Sequence, residues 1–154
     1  MIEPLPLALM AALLAIGLIH LAWALGLYWP GTDGVSRARY VVGTSDRALL
    51  GFLSWASIAF AFFCAVAVVW IGQFPIETWL GALVAYGGYL TLIFVFALRG
   101  LAPYVSQVFA YARGTPFYTL NRRYYAPICL ALAAALIADF PPGLETFLLP
   151  AAAA

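Results

Sequence analysis

The sequence predicts an all-α fold, an integral membrane bundle of four transmembrane helices, and three observations support this. Of the 154 residues, 66% are hydrophobic and only 8% are charged. The mean hydropathy is +1.02, whereas soluble domains carry about 25% charged residues. The apolar residues form runs near the ~20 residues that cross a ~30 Å hydrocarbon layer. We expect a single membrane domain over residues 1–149, followed by a short tail over residues 150–154.

The first span is expected over residues 5–29, and its one polar side chain is His20. In a helix, His20 shares a face with Gly17 and Ala24, two small residues that let a neighbouring helix approach. We therefore expect His20 to point into the bundle. A neutral, hydrogen-bonded imidazole is the plain interpretation, and a proton relay or ligand contact is the functional one. No metal site and no cofactor are expected, because no second histidine or chelating carboxylate accompanies His20.

The second span is expected over residues 47–71 and the third over residues 78–98. The polar connection over residues 32–46 precedes the second span. Ser45 or Thr44 can cap the second helix, and Asp46 in the first turn would complement its dipole. Small residues on one side of the third span predict close packing of a neighbouring helix. They are Gly81, Ala85 and Gly88.

The fourth span is expected over residues 120–139 and should be irregular. Its apolar run, Ala126–Ala138, covers only about 20 Å at 1.5 Å per residue, so the helix must begin earlier. Pro127 then lies inside the helix, where it removes the hydrogen bond to the carbonyl of Arg123. We expect a kink at this point, or a new helix that begins at Tyr125 or Ala126. Small side chains predict a packing face for this span: Ala131, Ala134, Ala135 and Ala138.

The placement of arginine predicts the orientation. All seven basic residues are arginine, and they lie in or beside the connections after the first and third spans. The turn over residues 72–77 and both termini have none. Cytoplasmic connections carry the excess of basic residues, so both termini are expected outside the cytoplasm of a bacterial inner membrane, with several crossings between them. Arg37 and Arg39, in the first connection, are expected to be solvated.

The segment over residues 99–127 separates two apolar runs and contains most of the polar chemistry. Arg99, Arg122 and Arg123, together with Arg47, lie near the ends of three spans. They could converge on an anionic headgroup, because arginine donates charge-assisted hydrogen bonds to phosphate. The alternative is that they only anchor the helix ends at the interface. The expected ligand-binding residues are His20, Trp23, Arg99, Tyr104, Asn121, Arg122, Arg123 and Tyr125.

No catalytic constellation is evident, since Cys64 and Cys129 stand apart in apolar runs. The net charge of +1 excludes nucleic-acid binding by bulk charge. A non-enzymatic bundle that binds membrane lipid, in particular anionic lipid, is favoured, and a partner membrane protein or a second copy could take the place of lipid. The alternatives are a membrane enzyme that acts on a lipid-like or phosphorylated apolar substrate, with His20 as acid or base, and a small transporter.

Two sequence elements resemble those of a bacterial family of unknown function. The element HLAWALGLYWP, residues 20–30, contains His-x-x-Trp-Ala-x-Gly, and FYTLNRRYYAPICLAL, residues 117–132, contains Arg-x-Tyr-x-Pro-x-Cys-Leu. Arg99 at the end of the third span adds to the likeness. The matching residues are His20, Trp23, Ala24, Gly26, Arg123, Tyr125, Pro127, Cys129 and Leu130. The resemblance covers residues 13–139 and implies a small four-span membrane protein, without implying an activity.

Overall fold

The computed structural model describes residues 3–44 and 51–144, and every regular element in these two ranges is helical. The α-helices are α1 Pro4–Ala24, α2 Gly34–Val41, α3 Phe52–Ile71, α4 Trp79–Ala82, α5 Gly88–Leu101, α6 Pro116–Leu120 and α7 Ala126–Ala138. A π-helical segment, Leu83–Gly87, joins α4 to α5, and a second, Asn121–Tyr125, joins α6 to α7. Two short 3₁₀ turns, Ala102–Tyr104 and Ala110–Ala112, lie between α5 and α6.

Three helices in the described ranges are long and apolar enough to cross a membrane: Pro4–Ala24, Phe52–Ile71 and Trp79–Tyr104. This confirms the prediction of an all-α membrane bundle. The expected fourth span corresponds to α6, the second π-helical segment and α7, which carry Arg122 and Arg123 and are not among the three. Four crossings therefore stay a prediction. The expected start of the second span at 47, the cap at Ser45, Asp46 and the tail over residues 150–154 lie outside the described residues.

Helix α1 ends at Ala24, five residues before the expected end of the first span. Its first turn contains Pro4 and Pro6, which the start of a helix tolerates because those N–H groups have no intrahelical acceptor. Its end is set by Gly26, which has a positive φ of 96°. The Leu27 N–H then donates to the carbonyl of Ala22 at 2.9 Å, as in a glycine-terminated helix. The chain leaves the helix axis here and folds back toward α2.

The connection between α1 and α3 contains a helix that the polar composition does not predict. Asp33 is its N-cap, and one carboxylate oxygen accepts from the Val35 N–H at 2.9 Å and from the Ser36 N–H at 2.8 Å. The Ser36 hydroxyl oxygen accepts in return from the Asp33 N–H at 3.0 Å. This capping box satisfies the free donors of the first turn. The capping box therefore defines the residue at which helix α2 begins.

The core forms where α1 packs on α3 and α5 packs on α7. Glycine permits three of the close approaches. A Cβ on Gly17 would lie 2.9 Å from a ring carbon of Phe63, which confirms the expected approach of a neighbouring helix there. A Cβ on Gly88 would lie 2.7 Å from a Val68 methyl, and one on Gly100 would lie 2.6 Å from Leu130 Cγ. The buried core residues are Leu9, Leu13, Ala65, Val69, Tyr89, Phe96, Leu132, Ala133 and Leu136.

The packing face predicted for α7 is wrong for three of its four residues. Ala131, Ala134 and Ala138 are exposed, whereas Ala135 packs against the core and Leu132, Ala133 and Leu136 are buried. Gly100 on α5 leaves the space that α7 needs, so the small residue at this contact lies on the neighbouring helix. The irregularity expected near Pro127 takes the form of a π-helical segment, which continues the helix instead of breaking it.

A polar cluster fastens the opposite end of the bundle. The Tyr89 hydroxyl donates to a carboxylate oxygen of Asp139 at 2.6 Å, and the Gln73 amide donates to the same oxygen at 3.2 Å. Gln73 also donates to the carbonyl of Val69 at 3.2 Å. These bonds join the ends of α3 and α7 to the middle of the third candidate span. The arginines lie at the other end of the molecule.

Candidate functional site

The two long connections meet at one end of the bundle. Gly43, which follows α2, has a φ of 81°, and a Cβ there would lie 2.5 Å from Ala112 Cβ and 2.7 Å from Phe117 Cδ1. The Tyr111 hydroxyl donates to the carbonyl of Val42 at 3.1 Å. The end of α2 therefore packs directly against the start of α6. Together these connections form one continuous edge, which carries the arginines of both.

Arg37 is only 5% exposed, so the expectation that it is solvated is wrong. Its Nη1 donates to the carbonyl of Trp23 at 2.9 Å and to that of Leu27 at 2.7 Å. Trp23 lies in the last turn of α1 and Leu27 in the turn that follows it, at the end of the helix whose dipole favours a cation. The guanidinium carbon also lies 5.6 Å from the Tyr28 ring centroid and 5.4 Å from that of Trp55.

Burial lowers the pKa of Arg37 from its ordinary value, and the neighbouring Tyr28 opposes that shift. An arginine pKa starts so high that the side chain remains charged in proteins. Arg37 is therefore a permanent buried cation whose bonds hold α2 against the end of α1.

His20 and Trp23 belong to an aromatic cluster beside Arg37. His20 is half-buried, and its Nδ1 lies 2.8 Å from the carbonyl oxygen of Ile16 on the same helix. A carbonyl only accepts, so this nitrogen carries the proton. The imidazole centroid lies 4.9 Å from the Trp23 ring and 5.5 Å from the Phe62 ring. The Trp23 indole N–H donates to the Trp29 carbonyl at 2.7 Å. These contacts join α1 to α3 and to the turn after α1.

Asn121 lies in the second π-helical segment and is 1% exposed, yet neither its Oδ1 nor its Nδ2 has a hydrogen-bond partner. Phe117 and Tyr125 lie four residues before and after it, and their ring centroids are 6.2 Å apart. The two rings are in contact on the helix face that carries Asn121. An unsatisfied buried polar group costs about 1–3 kcal/mol and is rare in native proteins, which makes Asn121 conspicuous.

Arg99 has similar chemistry on the adjacent helix. Its guanidinium carbon lies 5.4 Å from the Phe109 ring centroid, and its buried Nη1 has no hydrogen-bond partner. The Phe109 ring lies 5.6 Å from that of Phe117, which is four residues before Asn121. Burial raises the pKa of Tyr111, and the positive charge of Arg99 opposes that rise. The charge of Arg99 reaches Tyr125 as well. Arg99 and Asn121 thus belong to one cluster.

Arg122 and Arg123 are exposed on the same π-helical segment. The Arg122 guanidinium carbon lies 5.7 Å from the Tyr104 ring centroid and 5.8 Å from that of Tyr118. The Tyr104 hydroxyl donates to the Arg122 carbonyl at 3.1 Å. The Arg123 guanidinium carbon lies 5.4 Å from the Tyr124 ring centroid. Arg122 Nη1 also donates to the Tyr118 hydroxyl at 3.3 Å. Contacts of this kind orient an arginine at low cost and leave its remaining donors available to an anion.

The structure thus brings Arg122 to Tyr104 and Arg99 to Phe109, which packs on Phe117, while Arg47 lies outside the described residues. Sequence reasoning missed Arg37, Phe109, Phe117 and Tyr118 as parts of this edge. The spacing of Phe117, Asn121 and Tyr125 at four-residue intervals was the available signal for the enclosed amide. Within the described ranges no group of three or more His, Cys, Asp or Glu residues could hold a metal ion.

The apolar helices and the arginine-rich edge define a helical membrane protein. A family model described as "Protein of unknown function (DUF3995)" matches residues 13–136. The chain belongs to this family, which confirms the resemblance inferred from the sequence to a family of unknown function. No curated protein matches the chain, and no solved structure matches it.

Proposed function

We propose that this protein is a non-enzymatic, multi-pass bundle of the bacterial inner membrane that binds the anionic headgroup of a lipid at its arginine and tyrosine edge. The carrying observation is that Arg99, Arg122 and Arg123 lie on neighbouring helical segments, and none of them pairs with a carboxylate in the described part of the chain. Unpaired guanidinium groups beside a membrane surface attract phosphate. The carboxylate of a partner membrane protein, or of a second copy, would satisfy the same donors.

The continuous helical path over residues 116–138 supports a fourth crossing, because it extends about 34 Å at 1.5 Å per residue. Arg122 and Arg123 lie within its first half, so their long side chains would reach the headgroup region from this helix. With this crossing, an even number of spans places both termini on the side opposite to the arginine edge. The prediction that both termini lie outside the cytoplasm rests on that arrangement.

The hypotheses of an enzyme and of a transporter stay predictions without a specific observation in their favour. The Nδ1 atom of His20 is engaged by a backbone carbonyl, and aromatic rings pack around the imidazole. Asp139 lies at the end of α7 and accepts hydrogen bonds from Tyr89 and Gln73. Both groups have a structural use, which makes headgroup binding the more economical proposal.

Native mass spectrometry of protein purified in mild detergent tests the proposal. We expect the double variant Arg122→Gln with Arg123→Gln to lose most of its retained anionic lipid. The matched control is Arg39→Gln with Arg113→Gln, which removes the same charge from two exposed arginines on the same edge. Arg37 is unsuitable as a control because it is buried.

A general attraction of arginine to an anionic leaflet contributes about 1 kcal/mol for each residue, and it predicts equal, modest losses in the two double variants. A binding site predicts a larger loss for the Arg122 and Arg123 pair. Equal retention of anionic lipid by the two variants would therefore reject the proposal of a site and leave only an interfacial anchor.

A further inference from the structure

We infer that Arg99 and Asn121 form a recognition subsite for a phosphate ester that also carries a free hydroxyl group. This inference rests on the proposed binding of an anionic headgroup and names its chemistry. The starting observation is that three buried atoms on two adjacent helical segments lack hydrogen-bond partners: Arg99 Nη1, Asn121 Nδ2 and Asn121 Oδ1. Since buried polar atoms in native proteins are nearly always paired, these three are best explained by a ligand that pairs with them.

The positions of the two side chains support one shared ligand. Gly100, next to Arg99, packs so closely on the start of α7 that a Cβ there would lie 3.1 Å from the carbonyl oxygen of Ala126. Asn121 is in the π-helical segment that leads directly into α7. The Phe109 ring lies 5.4 Å from the Arg99 guanidinium carbon and packs on the ring of Phe117, which is four residues before Asn121 on the same helical path. The Phe109 and Phe117 rings thus connect the region of Arg99 with that of Asn121.

The types of the three atoms define the ligand. Arg99 Nη1 is a charged donor and Asn121 Nδ2 is a neutral donor, so together they suit the oxygens of an anion such as phosphate. Asn121 Oδ1 only accepts, so the ligand must also offer a donor. An ammonium group would be repelled by the positive charge of Arg99, whereas a hydroxyl would not. A glycerol headgroup on a phosphodiester, or free glycerol phosphate, has both required groups.

The π-helical geometry contributes to the subsite. A π-turn inside an α-helix is rare and frequently marks a functional position, because it displaces a side chain and backbone from the regular ladder. Here it contains Asn121 and places Arg122 in the same turn, exposed beside Tyr104. Arg122 can therefore attract the anion from the surface, while Arg99 and Asn121 determine which anion is held.

The experiment compares four probes on the wild-type protein in detergent by native mass spectrometry and by the shift in thermal unfolding. The probes are phosphatidylglycerol, phosphatidylmethanol, phosphatidylethanolamine and sn-glycerol 3-phosphate. Phosphatidylmethanol has the same phosphodiester charge as phosphatidylglycerol but no hydroxyl. We expect phosphatidylglycerol to bind about five- to tenfold more tightly than phosphatidylmethanol, which corresponds to one good hydrogen bond.

Two variants assign the preference to Asn121. Asn121→Leu keeps a similar volume without polar atoms, and we expect it to remain folded and to bind the two anionic lipids equally. Asn121→Asp places a negative charge near Arg99, so it should weaken binding of both anionic lipids and raise the unfolding temperature of the free protein. Arg113→Gln, an exposed change in the preceding loop, is the control and should keep the wild-type preference.

Each outcome decides between the subsite and the broader proposal. If wild type and Asn121→Leu bind phosphatidylglycerol and phosphatidylmethanol equally, while the Arg122 and Arg123 variant still loses lipid, the subsite is wrong and the headgroup function stands. If glycerol phosphate binds in an Asn121-dependent manner and no lipid does, the subsite stands with a soluble ligand and the lipid function is wrong. If no probe binds to wild type, both proposals fail.

Discussion

Arg37 and Arg99 are two arginines at the same end of the bundle with different surroundings. Arg37 Nη1 donates to two carbonyls, those of Trp23 and Leu27, and its guanidinium lies against two aromatic rings. Arg99 lies against one ring, and its Nη1, like the Nε of Arg37, is buried without a partner. The protein itself thus supplies two acceptors to Arg37 Nη1, whereas Arg99 Nη1 is open to an added acceptor. We therefore assign Arg37 to the fold and Arg99 to binding.

The assignment of Arg37 predicts that Arg37→Gln destabilises the protein. The change removes the cation from the carbonyls of Trp23 and Leu27 and from the faces of Tyr28 and Trp55. Charge-assisted hydrogen bonds contribute about 1.5–3 kcal/mol, and a desolvated cation–π contact adds roughly 1–2 kcal/mol. We expect the free energy of unfolding in detergent to fall by about 2–4 kcal/mol, as measured by circular dichroism.

Arg39→Gln is the control for this measurement, because Arg39 is exposed on the same helix and loses the same charge. Its unfolding free energy should stay within about 0.5 kcal/mol of wild type. Similar values for the two variants would show that the buried contacts of Arg37 do not stabilise the fold.

At the scale of the elements, the two π-helical segments determine how the long helices meet their neighbours. Leu83–Gly87 leads directly into Gly88, which packs against Val68 on α3. Asn121–Tyr125 leads into α7, which packs against Gly100 on α5. Each segment is thus followed within a few residues by a contact that has no room for a larger side chain. These contacts fix the register of α5 against α3 and α7.

Two adjacent glycines allow a matched test of the α3 contact. A Cβ on Gly88 would lie 2.7 Å from one Val68 methyl and 2.9 Å from the other, whereas the nearest atom to a Cβ on Gly87 would be 3.8 Å away. Valine is stiff about its first side-chain torsion, so the helices would have to separate. We expect Gly88→Ala to lower stability by about 1–3 kcal/mol. Thermal unfolding followed by tryptophan fluorescence measures the change.

Gly87→Ala should be neutral, or stabilising by up to about 1 kcal/mol, because alanine favours the helical backbone and meets no obstacle here. Equal destabilisation by the two substitutions would mean that the backbone of the π-helical segment, and not the approach of Val68, requires glycine.

The elements differ in how well the sequence predicts them. Apolar runs of about 20 residues predict α1 and α3 because membrane helices need little more than length and hydropathy. Pro127 indicates an irregular fourth helix because its missing N–H is a local, residue-specific cause. The segment Leu83–Gly87 has no proline, and its π-helical form depends on tertiary contacts that periodicity does not express. Arg37 was misplaced for a related reason, since its burial depends on how α2 folds over the end of α1.

The binding site, too, is predicted only in part from the sequence. Composition alone directs attention to the arginines and tyrosines over residues 99–127, because they are the polar residues between two apolar runs. It does not distinguish the exposed Arg122 from the partly enclosed Arg99. That difference arises from the rings of Phe109 and Phe117, which lie eight residues apart along the chain and meet only in the folded protein.

At the scale of the whole molecule, the two ends of the bundle differ in charge. One end carries the arginine edge, and the other carries the Asp139 cluster with Tyr89 and Gln73. Cytoplasmic ends of membrane helices are enriched in basic residues. The orientation with the arginine edge in the cytoplasm stays a prediction that rests on this rule.

Reporter fusions test this orientation. A phosphatase that is active only outside the cytoplasm should be active when fused after Gln73 or after Ala154, because the turn after the second span and the C-terminus are predicted outside. Fused after Gly114, between the third and fourth spans, the same reporter should be inactive. Phosphatase activity at Gly114 would invert the orientation, and its absence at Ala154 would remove the fourth crossing.

A π-turn holds one residue more than an α-turn, because its hydrogen bonds reach five residues back along the chain instead of four. A related chain that lacked one residue within Asn121–Tyr125 could therefore close the gap as regular α-helix and keep both ends of the helix in place. In that chain the residues that correspond to Phe117 and Tyr125 would be one residue closer in sequence. Their rings would then no longer meet on the helix face that carries Asn121. A single-residue gap at this point would thus separate relatives that retain the enclosed asparagine from relatives that bind in another way, or not at all.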